Sequence, residues 1–225
     1  MALMSLVQIV LSLVLTCQSE AQSTLDPTAS VVMTTESGFD EQLRAQMLTL
    51  NNEYRQDEYE AGDMNKLDWS PLLEAYAANH TEKCDFRHQE NSSWGENLYR
   101  STDAITPLDT IFGGMQAWHL EHYNIKQSPS GYVDCCSETK KTCCHFTQLV
   151  WARTEYVGCA MKKCATLTGE IVYTNAWFMA CYYYPPGNVL TEQPYQRTSA
   201  GQCSLCGPTN PDCDNGLCYF DTKRC

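Results

Sequence analysis

The chain has 225 residues, 43% of them hydrophobic and 19% charged, with a formal net charge of −12. That length supports one domain of ordinary size with an appendage. The acidic balance excludes bulk electrostatic attraction to nucleic acid or an anionic membrane, and fourteen cysteines argue against a reducing compartment.

From the N-terminus, SLVQIVLSLVLTC (residues 5–17) is uncharged and mostly apolar, and Ser19-Glu20-Ala21 offers small residues where a signal peptidase reads. Residues 1–21 are therefore predicted to be a signal peptide cut after Ala21; an apolar run of about 13 residues is too short to span a bilayer. Residues 22–38 read as a flexible Ser/Thr-rich leader. Order is expected from Phe39, where Leu43, Met47, Leu50 and Tyr54 recur as on an amphipathic helix, with Glu41, Arg44, Glu53 and Arg55 between them. Asp57, Glu58 and Glu60 read as its solvated end. Ser70-Pro71 opens a second helix whose Leu72, Ala75, Tyr76 and Asn79 share a face. Asn79 and Asn91 head glycosylation triplets. Gly95 reads as a turn. Thr106-Pro107-Leu108-Asp109 resembles a capping box and starts a third helix running to about Tyr123, with Gly113-Gly114 in its middle.

The second half changes character. Tyr156 to Lys162 alternates Val157, Cys159 and Met161 against smaller or polar residues, whereas Ile171 to Tyr184 is apolar on both parities, as in a central strand covered on both faces. Thr168-Gly169 predicts a turn joining the two as an antiparallel hairpin. Helices followed by a hairpin imply an α+β or layered α-β-α domain. Cys135-Cys136 and Cys143-Cys144 flank SETKKT, so pairing across that loop is expected. Residues 191–201 read as a linker and 202–225 as a cysteine-rich tail with too little apolar content for a core. A disulfide staple involving Cys203, Cys206, Cys213 and Cys218 is preferred there over zinc at Cys203-x2-Cys206. Thirteen cysteines follow Ala21, an odd number. Cys225 is the expected unpaired thiol, with Cys203 the alternative, and a free thiol points to a disulfide-linked homodimer or a mixed disulfide.

Four segments occur in a telling order: CDFRHQENSSWGENLY (Cys84–Tyr99), AWHLEHY (Ala117–Tyr123), HFTQLVWART (His145–Thr154) and CYYYPPGN (Cys181–Asn188). Together they resemble the CAP superfamily, or SCP/TAPS, of cysteine-rich secretory proteins, antigen 5 and pathogenesis-related proteins. The compact tail is most like that of venom allergen-like proteins of parasitic worms. The resemblance implies a three-layer α-β-α sandwich over residues 39–190. It also implies a cleft tetrad of His88, Glu96, Glu121 and His145, with His119 or His122 the alternatives to Glu121, and bridges Cys159–Cys181 and Cys84–Cys164.

Two imidazoles and two carboxylates in one cleft can hold Zn²⁺ or another divalent ion, form a structural hydrogen-bond network or perform acid/base work. No GxSxG or HExxH pattern supplies a separate nucleophile or metalloprotease helix. The function that the resemblance implies is a secreted, non-enzymatic protein with no required cofactor, binding a sterol or fatty acid in an apolar groove. A metal-assisted hydrolase and a ligand for a host protein are the alternatives. Phe146, Leu149 and Trp151 read as core, and Tyr182, Tyr183 and Tyr184 as sheet residues.

Overall fold

Residues 36–125, 135–136 and 142–221 are described from a computed structural model. The signal peptide, most of the leader, most of SETKKT, and the Cys17 and Cys225 thiols lie outside them. Three capped helices form where sequence chemistry places them. Asp40 accepts from the Leu43 N–H ahead of α1 (Glu41–Gln56). Ser70 caps α2 (Pro71–Thr81). Thr106 and Asp109 exchange reciprocal bonds of 3.1 and 2.9 Å at the start of α3 (Pro107–Leu120). The expected run of α3 to Tyr123 is corrected: the chain tightens at Leu120 into a 3-10 turn, Glu121–Asn124. The glycine pair stays helical and lets α3 lie close on the sheet: a Cβ on Gly114 would stand 3.1 Å from the Tyr99 ring.

The strands are β1 (Asp68–Trp69), β2 (Gly95–Ser101), β3 (Tyr156–Leu167) and β4 (Tyr173–Tyr184), in sheet order β1-β3-β4-β2. The β3–β4 hairpin is antiparallel, and β4 lies inside the sheet, as its two-sided apolar pattern requires. It begins at Tyr173 and not Ile171, while β3 extends past Lys162 to Leu167. A six-residue helix, α4 (Cys144–Leu149), precedes β3. A small pair, β5 (Asp212–Asp214) and β6 (Leu217–Tyr219), closes the tail.

Strand parity builds the layers. Val157, Cys159, Met161, Met179, Cys181 and Tyr183 meet Met47 and Leu50 of α1, Ile111, Met115 and Trp118 of α3, and Leu149 of α4 on one face. On the other face Ala160, Phe178, Ala180 and Tyr182 pack on Leu73, Ala77 and Ala78 of α2. The result is a three-layer α-β-α sandwich, an α+β fold. The side of α2 that packs carries Leu73, Glu74, Ala77, Ala78 and His80; the face expected from sequence, Leu72, Ala75, Tyr76 and Asn79, is the more exposed one. At the β1 edge the two helical layers are tied by Glu74, which accepts two 2.8 Å bonds from Arg44 and one from the Trp69 indole.

Arg55, set between the apolar positions of α1, is buried, and Glu58, read as solvated, is half-buried. Arg55 is fully enclosed and donates to the carbonyls of Asn65, Leu149, Trp151, Ala152 and Thr154 at 2.6–3.2 Å. Burial pushes its pKa down to about 9, which leaves it charged at neutral pH. Glu58 accepts a 2.6 Å bond from the Tyr195 hydroxyl, and burial raises its carboxyl.

Six disulfides join described residues: Cys84–Cys164, Cys135–Cys143, Cys136–Cys144, Cys159–Cys181, Cys203–Cys213 and Cys206–Cys218. Cys159 and Cys181 are direct cross-strand partners. The sulfurs of Cys203, Cys206 and Cys218 cluster within 4.8 Å of one another, but all three are oxidised in these bridges, which removes the zinc alternative for the tail. Residues 194–198 are fastened to the domain through the Ala152 N–H to the Pro194 carbonyl and the Gly62 N–H to the Gln196 carbonyl. Among the described residues no helix is long and apolar enough to cross a membrane.

Candidate functional site

Among the described residues β2 is an edge strand of the sheet. Alternation along β2 gives each layer its own group. Glu96, opposite Tyr182, faces the α2 layer, and Asn97, opposite Cys181, faces the other. The Asn97 amide donates to the His145 carbonyl at 3.0 Å, so β2 sets the position of α4. Gly95 belongs to the strand and not to a turn: a Cβ there would collide with the Gln148 side chain, which itself accepts from the Gly187 N–H at 2.9 Å.

The four candidate residues form two His–Glu pairs. His88 Nδ1 lies 2.5 Å from Glu96 Oε1, and the Gln89 N–H donates to the other oxygen at 3.3 Å. His145 Nδ1 lies 2.7 Å from Glu121 Oε1. Glu121 Oε2 accepts from the His145 and Phe146 N–H groups at 2.9 and 3.3 Å, capping the short α4 from outside. An ionised carboxylate only accepts, so each Nδ1 carries the proton. Donation from Nδ1 turns each Nε2 away from its carboxylate, the geometry in which an imidazole offers Nε2 as a ligand. Among the described residues neither Nε2 has a protein partner. The rings are 6.4 Å apart, centroid to centroid, at an interplanar angle of 26°. Both imidazoles line a cleft of about 540 Å³.

Exposure differs within each pair. Glu96 is 6% exposed under a 63% exposed His88, whereas Glu121 and His145 are 21% and 29% exposed. Burial would raise the Glu96 carboxyl, but the hydrogen bond from His88 and the nearness of His88 and His80 hold it below the ordinary carboxylate range. Behind it sits a group that motif reasoning missed. His80 is buried, with Nδ1 2.9 Å from the Tyr182 hydroxyl and 3.8 Å from Glu96 Oε2, and Nε2 3.0 Å from the Arg87 carbonyl. A carbonyl only accepts, so Nε2 donates there and neutral His80 takes the tyrosine proton at Nδ1. Burial pushes the His80 imidazole below its ordinary value, against the opposing pull of Glu96. The only sequence signal for His80 was its place in a glycosylation triplet.

The alternatives to Glu121 lie elsewhere. His119 stacks on Tyr54 at 4.2 Å, and His122 turns its Nδ1 to the His119 carbonyl at 2.8 Å. Neither lines the cleft. Phe146, Leu149 and Trp151 are buried in the core. Asn79 and Asn91 are both exposed, Asn79 on α2 and Asn91 in the loop before β2 at φ 57°.

The model of the cysteine-rich secretory protein family, CAP, matches residues 48–183. Peptidase inhibitor 16 of Mus musculus is 36% identical over 176 residues, covering 76% of this chain and 32% of that protein. The chain thus spans about a third of the length of the peptidase inhibitor 16 proteins that it matches. Among solved structures, NaASP2, crystallised with Zn²⁺, superposes with a TM-score of 0.66 at 22% identity, covering 82% of this chain and 98% of that one. Schistosoma mansoni venom allergen-like protein 4 gives 0.54 at 22% identity, covering 75% and 100%. At such identities these structures speak for the fold.

Proposed function

Because the chain belongs to the CAP family of cysteine-rich secretory proteins, we propose that it is a secreted binding protein whose cleft takes a divalent cation through His88 and His145. The observation that carries this reading is the pairing of each Nδ1 with a carboxylate at 2.5 and 2.7 Å, which assigns the proton to Nδ1 and leaves Nε2 for use as a ligand. A carboxylate behind a ligating imidazole orients the ring and raises its basicity. His88 and His145 would hold the ion through imidazole nitrogen, a donor that suits Zn²⁺, and exposed His88 has room to adjust toward His145. Such an ion would supply an electrophilic anchor for a ligand oxygen. Both carboxylates are committed to imidazole and backbone N–H donors, and no serine, threonine or cysteine lines the cleft among the described residues. That arrangement favours binding over hydrolysis. Six disulfides support an oxidising, extracellular setting.

Long-range ¹H–¹⁵N spectra of the histidines test this reading. His88 and His145 should show the Nδ1–H tautomer, and Zn²⁺ should shift their Nε2 resonances alone. An Nε2–H tautomer in both would refute it.

A second reading, uptake of a sterol or fatty acid, is favoured by the start of α3, where Ile105 just ahead of the cap and Leu108 and Phe112 on the helix are 86%, 40% and 46% exposed. Saturable binding of labelled sterol or fatty acid should then survive replacement of both His88 and His145 by alanine, since the sites are separate. Absence of saturable uptake would end it.

A further inference from the structure

The cleft also holds a cation that metal binding leaves unused. Arg100, near the end of β2, is half-buried, with its guanidinium carbon 3.7 Å from the Tyr173 ring centroid and 5.9 Å from that of Phe86. Among the described residues its side chain has no hydrogen bond and no carboxylate partner. A half-buried guanidinium without a counter-ion is costly. Packing of its face on an aromatic ring leaves the N–H edge, the part that pairs with two oxygens of one anion, for something else. Arg87 lines the same cleft, 3.4 Å from Asp85, so that its charge is partly engaged. Glu170, exposed at the β3–β4 hairpin, is the one carboxylate among the lining residues. A concentration of Arg100, Arg87 and two imidazoles is unexpected on a chain of net charge −12. The cleft walls are apolar: Phe86 and Tyr173 line it, and so does Ile171, although 62% of Ile171 is exposed. Its volume, about 540 Å³, is that of a small-molecule site.

We propose that the cleft recognises an oxyanion, a carboxylate, sulfate or phosphate, carried on an aromatic or aliphatic body, and that Arg100 is its specificity-determining residue. The oxyanion pairs with the Arg100 edge, and the body lies against Phe86, Ile171 and Tyr173. This deepens the reading of the cleft as a binding site but does not depend on the metal.

The test is calorimetric titration of chelator-stripped protein with 1-naphthyl phosphate, 1-naphthyl sulfate and 1-naphthoate, against uncharged 1-naphthol and inorganic phosphate. At least one anionic naphthyl compound should bind saturably, about tenfold or more tighter than naphthol or phosphate alone, and the ranking of the three identifies the oxyanion. Arg100→Gln should abolish that advantage, so that the anions bind no tighter than naphthol to the same variant, and Arg100→Lys, which keeps the charge, should restore part of it. Equal affinity for naphthol and the anions, an unaltered preference in Arg100→Gln, or no binding of any naphthyl compound would overturn the proposal. A parallel Zn²⁺ titration of the same protein reports separately on the metal, so either reading can fail alone.

Discussion

Single residues carry the site and much of the stability, and some were visible in the sequence while others were not. His88, Glu96, Glu121 and His145 stand in motifs that name them. The way they pair was invisible, because it depends on β2 parity and on Glu121 reaching the N–H groups of α4. Glu121→Gln should weaken divalent-ion affinity by about tenfold, as loss of such an orienting carboxylate does. It should also reduce stability by about 1 kcal/mol through the weakened cap. Urea denaturation and metal titration of the variant read the two effects apart. Arg55 was illegible for a different reason: a charged residue among apolar ones reads as solvent-facing, and only the fold supplies the five carbonyls that receive it. Arg55→Lys cannot reproduce the planar fork and should cost at least about 3 kcal/mol. A change below about 1 kcal/mol in urea denaturation would contradict the role given to it.

At the scale of elements, the capped helices and the hairpin were legible because caps and two-residue alternation are local signals. β2 was missed because its GENLYRS run shows little alternation, and its partner β4 lies some 80 residues later in the chain. α4 was missed because six residues are too few for a periodic pattern. The face of α2 was misjudged by one helical step, since Glu74 and His80 are polar residues buried by specific partners. Contact between α2 and β3 supplies a direct test. Gly158 sits under the start of α2, where a Cβ would stand 2.6 Å from the Ser70 carbonyl oxygen and 2.7 Å from the Leu73 carbonyl carbon. These are backbone atoms and cannot rotate away, so Gly158→Ala should destabilise by about 2 kcal/mol or more. A neutral effect in thermal or chemical denaturation would show that the layers are not packed this closely.

For the whole molecule, the buried polar groups behind the cleft couple stability to pH. His80 is held below its ordinary value, so the unfolded chain binds the extra proton. The stability it contributes is complete above the unfolded value, about 6.5, and is lost as pH falls toward the folded one. Glu96, also depressed, follows the same direction: its contribution is complete above about 4.3 and is lost as pH falls through its lower folded value. Glu58, Asp68 and Glu155, whose carboxyls burial raises, act oppositely. The difference between wild type and His80→Gln isolates the histidine. Scanning calorimetry should show the wild-type melting temperature falling relative to the variant between about pH 6.5 and pH 5; parallel curves would contradict this assignment. The central claim concerns the two free Nε2 atoms, and titration of Zn²⁺ into chelator-stripped wild type, His88→Ala, His145→Ala and the double variant tests it most directly. The account predicts one saturable site in wild type, weakened at least about tenfold in each single variant and absent in the double; no site in wild type, or an unchanged one in the double variant, would contradict it.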